Sequence, residues 1–168
     1  MVLLLLLSEI GFFFSGGGNY SPSGSYSLSL GTGLSFPFDN KTYGYLEVET
    51  SVYFSLGLLD YTPRRYNSEV THNSTKLLLG SSVEFQLFQF IIKPGVYYIM
   101  LSQRIKDRYI EGPYRITEYF TQQFKGYGAK FAFFYPIRDK YRIGLVWKKE
   151  WKTIPSNEFG LYFRATFK

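Results

Sequence analysis

Among 168 residues there is one histidine and no cysteine, so thiol chemistry and a disulfide framework are both excluded. The histidine, His72, stands two residues before Ser74, with Glu84 farther along. Histidine can act as a general base and serine as a nucleophile, but only in a bonded geometry, and this spacing often arises by chance. A larger set of chemically capable residues comprises Glu47, Glu49, Glu84, Lys130, Arg142, Lys148, Glu150 and Arg164, each on the polar parity of an alternating stretch. What they do depends on where that parity points. No metal-ligand cluster or nucleotide motif accompanies them, and the glycines at 16–18 lack the following helix that a phosphate loop needs. No cofactor and no metal are expected.

The elements that position these groups are strands. In residues 43–61, Leu46, Val48, Thr50, Val52, Phe54, Leu56 and Leu58 share one face, while Glu47, Glu49, Ser51, Tyr53, Ser55 and Gly57 share the other. Residues 24–38 repeat the plan, with Tyr26, Leu28, Leu30, Leu34 and Phe36 opposed to serines and glycines. Alternation alone does not say which face meets water. Serine and glycine are poor strand formers that pack little, so a face built of them suits the inside of a narrow barrel of about eight strands better than bulk solvent. The leucine and phenylalanine face is therefore read as lipid-facing.

Composition agrees with this reading once its average is looked behind. The mean hydropathy of -0.11 would suggest a soluble chain, but 16 Tyr and 17 Phe exceed a routine core and suit aromatic girdles at two membrane interfaces. The formal charge of +6 fits loops against anionic headgroups as well as it fits nucleic acid, and no nucleic-acid partner is expected. Residues 1–7, MVLLLLL, read as the remnant of an export signal preceding a barrel domain over 8–168. The alternative is that they extend the first strand.

About eight strands follow along the chain. The first spans Ile10, Phe12 and Phe14, and the fourth begins at Leu77 after a long polar segment. The fifth, 91–104, is apolar on both parities, so its facing stays open. Residues 106–122 read as another long, charged loop. Clear alternation returns in the sixth strand with Phe131 and Phe133, in the seventh with Leu145 and Trp147, and in the last with Leu161 and Phe163. Links of alternating length place the short turns at one end and the long loops at the other. The expected fold is all-β: a closed, antiparallel, up-and-down transmembrane barrel of about eight strands, each at about ten residues long enough to cross a hydrocarbon layer.

With that layout, the chain resembles the small outer-membrane β-barrel family of the OmpA and OmpX type. The likeness rests on glycine-rich aromatic strands such as FKGYGAKFAFFYPI and on the final FGLYFRATFK. It implies a bacterial outer membrane, contact with membrane lipid and lipopolysaccharide, and a monomer. Some lipid A deacylases are barrels of this size with a His-x-Ser pair and a Glu. Their pair, however, lies near the end of the chain, unlike His72 and Ser74, so a non-enzymatic role is expected.

Inside a narrow lumen the charged set must pair or stay hydrated, because isolated burial would cost several kcal/mol. Glu47, Glu49 and Glu84 are expected to face some of Lys130, Arg142 and Arg164. Such a network is either a plugged core, the reading favoured here, or a gated polar pore. In the outer loops, Arg64, Arg65, Tyr66, Arg108, Tyr109 and Arg115 combine basic and aromatic groups able to touch lipopolysaccharide phosphates, or a host or other extracellular ligand. A soluble lipocalin-like barrel is the rival, but it would crowd Phe54, Phe131, Phe133 and Trp147 into its interior.

Overall fold

A computed structural model of the chain describes residues 10–39, 41–54, 62, 63, 65, 67–152 and 156–167. Eight strands follow one another: β1 (Gly11–Tyr20), β2 (Tyr26–Pro37), β3 (Thr42–Tyr53), β4 (Glu69–Leu87), β5 (Phe90–Glu111), β6 (Tyr114–Arg138), β7 (Tyr141–Trp151) and β8 (Asn157–Phe167). Each pairs antiparallel with the next, and β8 returns to β1 through pairs from Phe12 with Phe167 to Tyr20 with Phe159. The sheet therefore has no edge through its barrel portion, and every strand there has a hydrogen-bonding neighbour on both sides.

Period-two alternation sets the two surfaces. Leu46, Val48, Val52 and Phe54 point outward, as do Phe131, Phe133, Leu145, Trp147, Leu161 and Phe163. Leu30 and Leu145 are 74% and 65% exposed, values that would be costly in water for a whole belt of such residues. Leu56 and residues 1–7 lie outside the described residues. Aromatic pairs mark the upper limit of the belt, with Tyr20 against Tyr26 and Tyr127 stacked on Trp151. Others mark its lower part, with Phe90 against Phe133 and Tyr141 stacked on Phe163. From Tyr127 to Tyr135 on β6 is about 26 Å along the strand at ~3.3 Å per residue, comparable with the ~25 Å apolar band of membrane barrels.

The interior is richer in aromatics than a serine and glycine face suggests. Phe13, Tyr45, Tyr53, Tyr97, Phe134 and Tyr162 are all buried there. Glycines on neighbouring strands make the room. A Cβ on Gly33 would sit 2.7 Å from the Phe13 ring, and one on Gly128 would sit 2.6 Å from the Tyr97 ring. Glycine thus serves less to leave a lumen open than to let rings lie flat across it.

Two expectations about loops require correction. Residues 106–122 are not a loop but the meeting of β5 and β6, joined only by Gly112 and Pro113, with Gly112 at φ 61. A positive-φ glycine suits a two-residue hairpin link whose twist matches the strands. Likewise β4 begins at Glu69, eight residues before Leu77. Beyond the membrane a strand need not be apolar on either face, so the hydrophobic alternation vanishes while the strand continues. Thr117, Tyr119 and Thr121 of β6 are good strand formers nonetheless. Since β3 ends opposite Ser74 and β7 opposite Tyr127, the upper parts of β4, β5 and β6 project as a three-stranded sheet. On β6 that projection, from Tyr127 to Tyr114, runs about 43 Å along the strand at ~3.3 Å per residue.

Candidate functional site

Strand parity delivers the charged groups to the lumen, where they form stacked clusters. Lowest is Glu84 on β4, whose carboxylate accepts from Arg142 on β7 and, at 3.2 Å, from Arg164 on β8. The Arg164 guanidinium lies 4.1 Å from the Phe13 ring centre and 4.2 Å from that of Tyr45. Ring faces stabilise a cation that has lost its water. Above it, Glu47 on β3 accepts from Lys93 at 3.0 Å, Lys130 at 2.9 Å and the Ser82 hydroxyl at 2.7 Å.

Next, Glu49 accepts from Lys148 and, at 2.7 Å, from the Tyr162 hydroxyl, with Lys130 at 3.8 Å. Topmost, Lys76 donates to Glu150 at 2.6 Å and Glu158 at 3.0 Å, while Tyr53 donates to Glu158. Among the described residues, five carboxylates (Glu47, Glu49, Glu84, Glu150, Glu158) thus meet six cations (Lys76, Lys93, Lys130, Lys148, Arg142, Arg164) across the barrel. A cap of neutral polar groups follows: Asn19 donates to Ser29 at 2.6 Å, Ser29 bonds Ser51 at 2.7 Å, and Gln103 donates to Ser74 at 2.9 Å.

Little space remains among these groups. Two internal voids beside Glu47, Glu49 and Lys130 measure about 10 and 20 Å³, each room for about one water. Ordered charges at this density fill the lumen and tie opposite walls together.

The outward surface and this filled core match known architectures. No protein-family model matches the sequence, nor does any curated protein. Solved structures do match in shape. A major outer membrane protein from Thermus thermophilus aligns with a TM-score of 0.60 at 10% identity, covering 94% of this chain and 99% of that one. The N-terminal β-barrel domain of Pseudomonas aeruginosa OprF gives 0.56 at 11% identity, covering 94% and 97%. Ail, the attachment invasion locus protein of Yersinia pestis, gives 0.55 at 6% identity, covering 94% of each chain. The fold is that of a small outer-membrane β-barrel.

Within this barrel all eight charged residues singled out by parity point inward, and Lys130, Arg142 and Arg164 each meet one of Glu47, Glu49 or Glu84. Three partners escape sequence reasoning. Lys76 falls in the polar segment ahead of the expected fourth strand, and Lys93 sits on the strand whose facing stays open. Glu158 shares the parity of Arg164, so its signal is present. His72, Ser74 and Glu84 are not brought together: Glu84 lies twelve residues along β4 from His72, about 40 Å at ~3.3 Å per residue, and is held by the two arginines.

On the projecting sheet, Arg104, Lys106 and Arg108 follow one another on the outer face of β5, across from Thr121, Tyr119 and Thr117 of β6. Lys106 lies 5.8 Å from the Tyr119 ring centre. Arg115 is exposed, and Arg65 donates to Glu111 at 2.9 Å on the surface. Tyr109, expected at the surface, instead faces inward and is 7% exposed. Its odd position places it with Ile105 and Asp107 on the covered face of β5. Arg64 and Tyr66 lie outside the described residues.

Proposed function

We propose that this chain is a non-enzymatic, monomeric barrel of a bacterial outer membrane, plugged by its own ion network, that works through the sheet it raises above the lipid. The observation that carries this reading is the length of β4, β5 and β6, which continue far beyond their neighbours as a charged platform of Arg104, Lys106, Arg108 and Arg115. A structure whose task was passage would not need such a platform, and its lumen would not be spanned by Lys76, Lys148 and Arg164 with side-chain exposures of 0%, 1% and 1%. Contact with lipopolysaccharide phosphates or with an external ligand is the role this surface fits.

The test pairs two measurements on purified protein and on cells that display it. In planar bilayers the barrel should show no steady conductance; steady, ion-selective steps would replace the plug with a pore. Replacing residues 104–121 by a two-residue turn should leave the mobility shift on boiling intact while abolishing adhesion of cells that display the barrel. Adhesion unchanged by that deletion would remove the platform from the function.

A further inference from the structure

The outer wall is not uniformly smooth. A groove of about 870 Å³ crosses β3 to β6 within the apolar belt, a volume inside the ~300–1,000 Å³ range of small-molecule sites. Its floor is made of short residues, Ser81, Pro94 and Ala129, between ridges raised by Phe85 and Trp147. The floor coincides with an interruption of the wall. The β4–β5 ladder pairs Ser82 with Gly95 and Phe85 with Ile92, but not the two residues between on either strand. Pro94 has no N–H to give to that ladder.

The lower end is shaped as well. The Phe38 ring lies over Gly44, where a Cβ would sit 2.9 Å from it, so the absence of a side chain lets the ring close that end. Beside it the turn carries Lys41, exposed, whose carbonyl accepts from the Gln86 N–H at 3.2 Å. An apolar trough in the belt with a cation at its mouth is complementary to a lipid with an anionic head and an acyl tail. The mouth lies at the end bearing the short turns, opposite the projecting sheet.

We propose that this groove holds one acyl chain of an anionic glycerophospholipid from the leaflet at the short-turn end, with Lys41 opposite its phosphate. The proposal rests on the membrane reading above. Trp147 lines the groove and is one of only two tryptophans, so a Trp151→Phe barrel carries a single reporter at the site. It would be reconstituted in phosphatidylcholine vesicles containing a small fraction of phosphatidylglycerol brominated on its acyl chains, which quench tryptophan on contact.

Quenching should exceed that expected from the mole fraction of brominated lipid. Ala129→Leu, which fills the floor, should bring it down to proportionality. Lys41→Gln should lower the preference for the anionic lipid about fivefold, the equivalent of the ~1 kcal/mol contributed by one basic residue near a headgroup. Quenching that simply tracks mole fraction and ignores Ala129→Leu would overturn the proposal, as would the absence of quenching because a second copy covers the wall. A normal mobility shift on boiling with proportional quenching defeats the groove alone. A chain that never inserts, recognised by the lack of that shift, defeats the membrane reading and the groove together.

Discussion

Leu30→Arg should destabilise the inserted barrel by about 2–4 kcal/mol, the cost of a guanidinium near the midplane of a lipid-facing β surface. Leu30 is a sharp probe because it stands on the outer face of β2 between Gly16 and Thr50, with 74% of its surface exposed. In a soluble barrel a substitution at so open a site would stay within about 0.5 kcal/mol of neutral. Urea titration of the barrel folded in lipid vesicles measures the difference. A change below about 0.5 kcal/mol would mean that water, not acyl chains, surrounds this face.

Glu84→Ala has a comparable effect by the opposite route. It leaves the guanidiniums of Arg142 and Arg164 without their shared carboxylate, and Arg164 is 1% exposed. Breaking a buried pair from one side costs about 3–5 kcal/mol, because a charge remains in a poor environment. Arg142 has a side-chain exposure of 15% and can recover some water; Arg164, held between Phe13 and Tyr45, cannot. Adding Arg164→Met to the Glu84→Ala barrel should therefore restore about 0.5–3 kcal/mol, the usual coupling of residues in one network. Strictly additive losses in the same urea titration would show that the two side chains do not act on each other.

How far the fold can be read from residue order depends on how different the two faces of each strand are. β3 is legible because Leu46, Val48 and Val52 alternate with Glu47, Glu49 and Ser51 without exception. β5 is not, because its inward residues Tyr97, Ile99 and Leu101 are as apolar as the Val96 and Tyr98 that face outward. Those inward residues join apolar patches inside the barrel, Leu101 against Tyr53 and Ile99 with Leu78 and Tyr97. Such patches are decided by what stands on the neighbouring strands, which a single strand cannot reveal. The projecting sheet is hidden for the converse reason: outside lipid both of its faces carry polar groups, so its strands read as loop.

The ion network shows the same division. Parity places Glu47, Glu49, Glu84, Lys130, Arg142, Lys148, Glu150 and Arg164 on one side, but partner choice depends on register across the lumen. Lys76 reaches Glu150 and Glu158 on the opposite wall, 74 and 82 residues away in sequence. Nothing local in the chain announces such a contact.

The most direct measurement is an NMR map of which methyl groups touch lipid, made on methyl-labelled protein in nanodiscs with protonated acyl chains. With the oily face outward, Leu28, Leu30, Leu46, Val48, Val52, Leu145 and Leu161 give cross-peaks to the acyl chains, while Leu78, Ile91, Ile99, Leu101 and Val146 give none. Cross-peaks from Ile99 and Leu101 with silence from Leu46 and Val48 would contradict it.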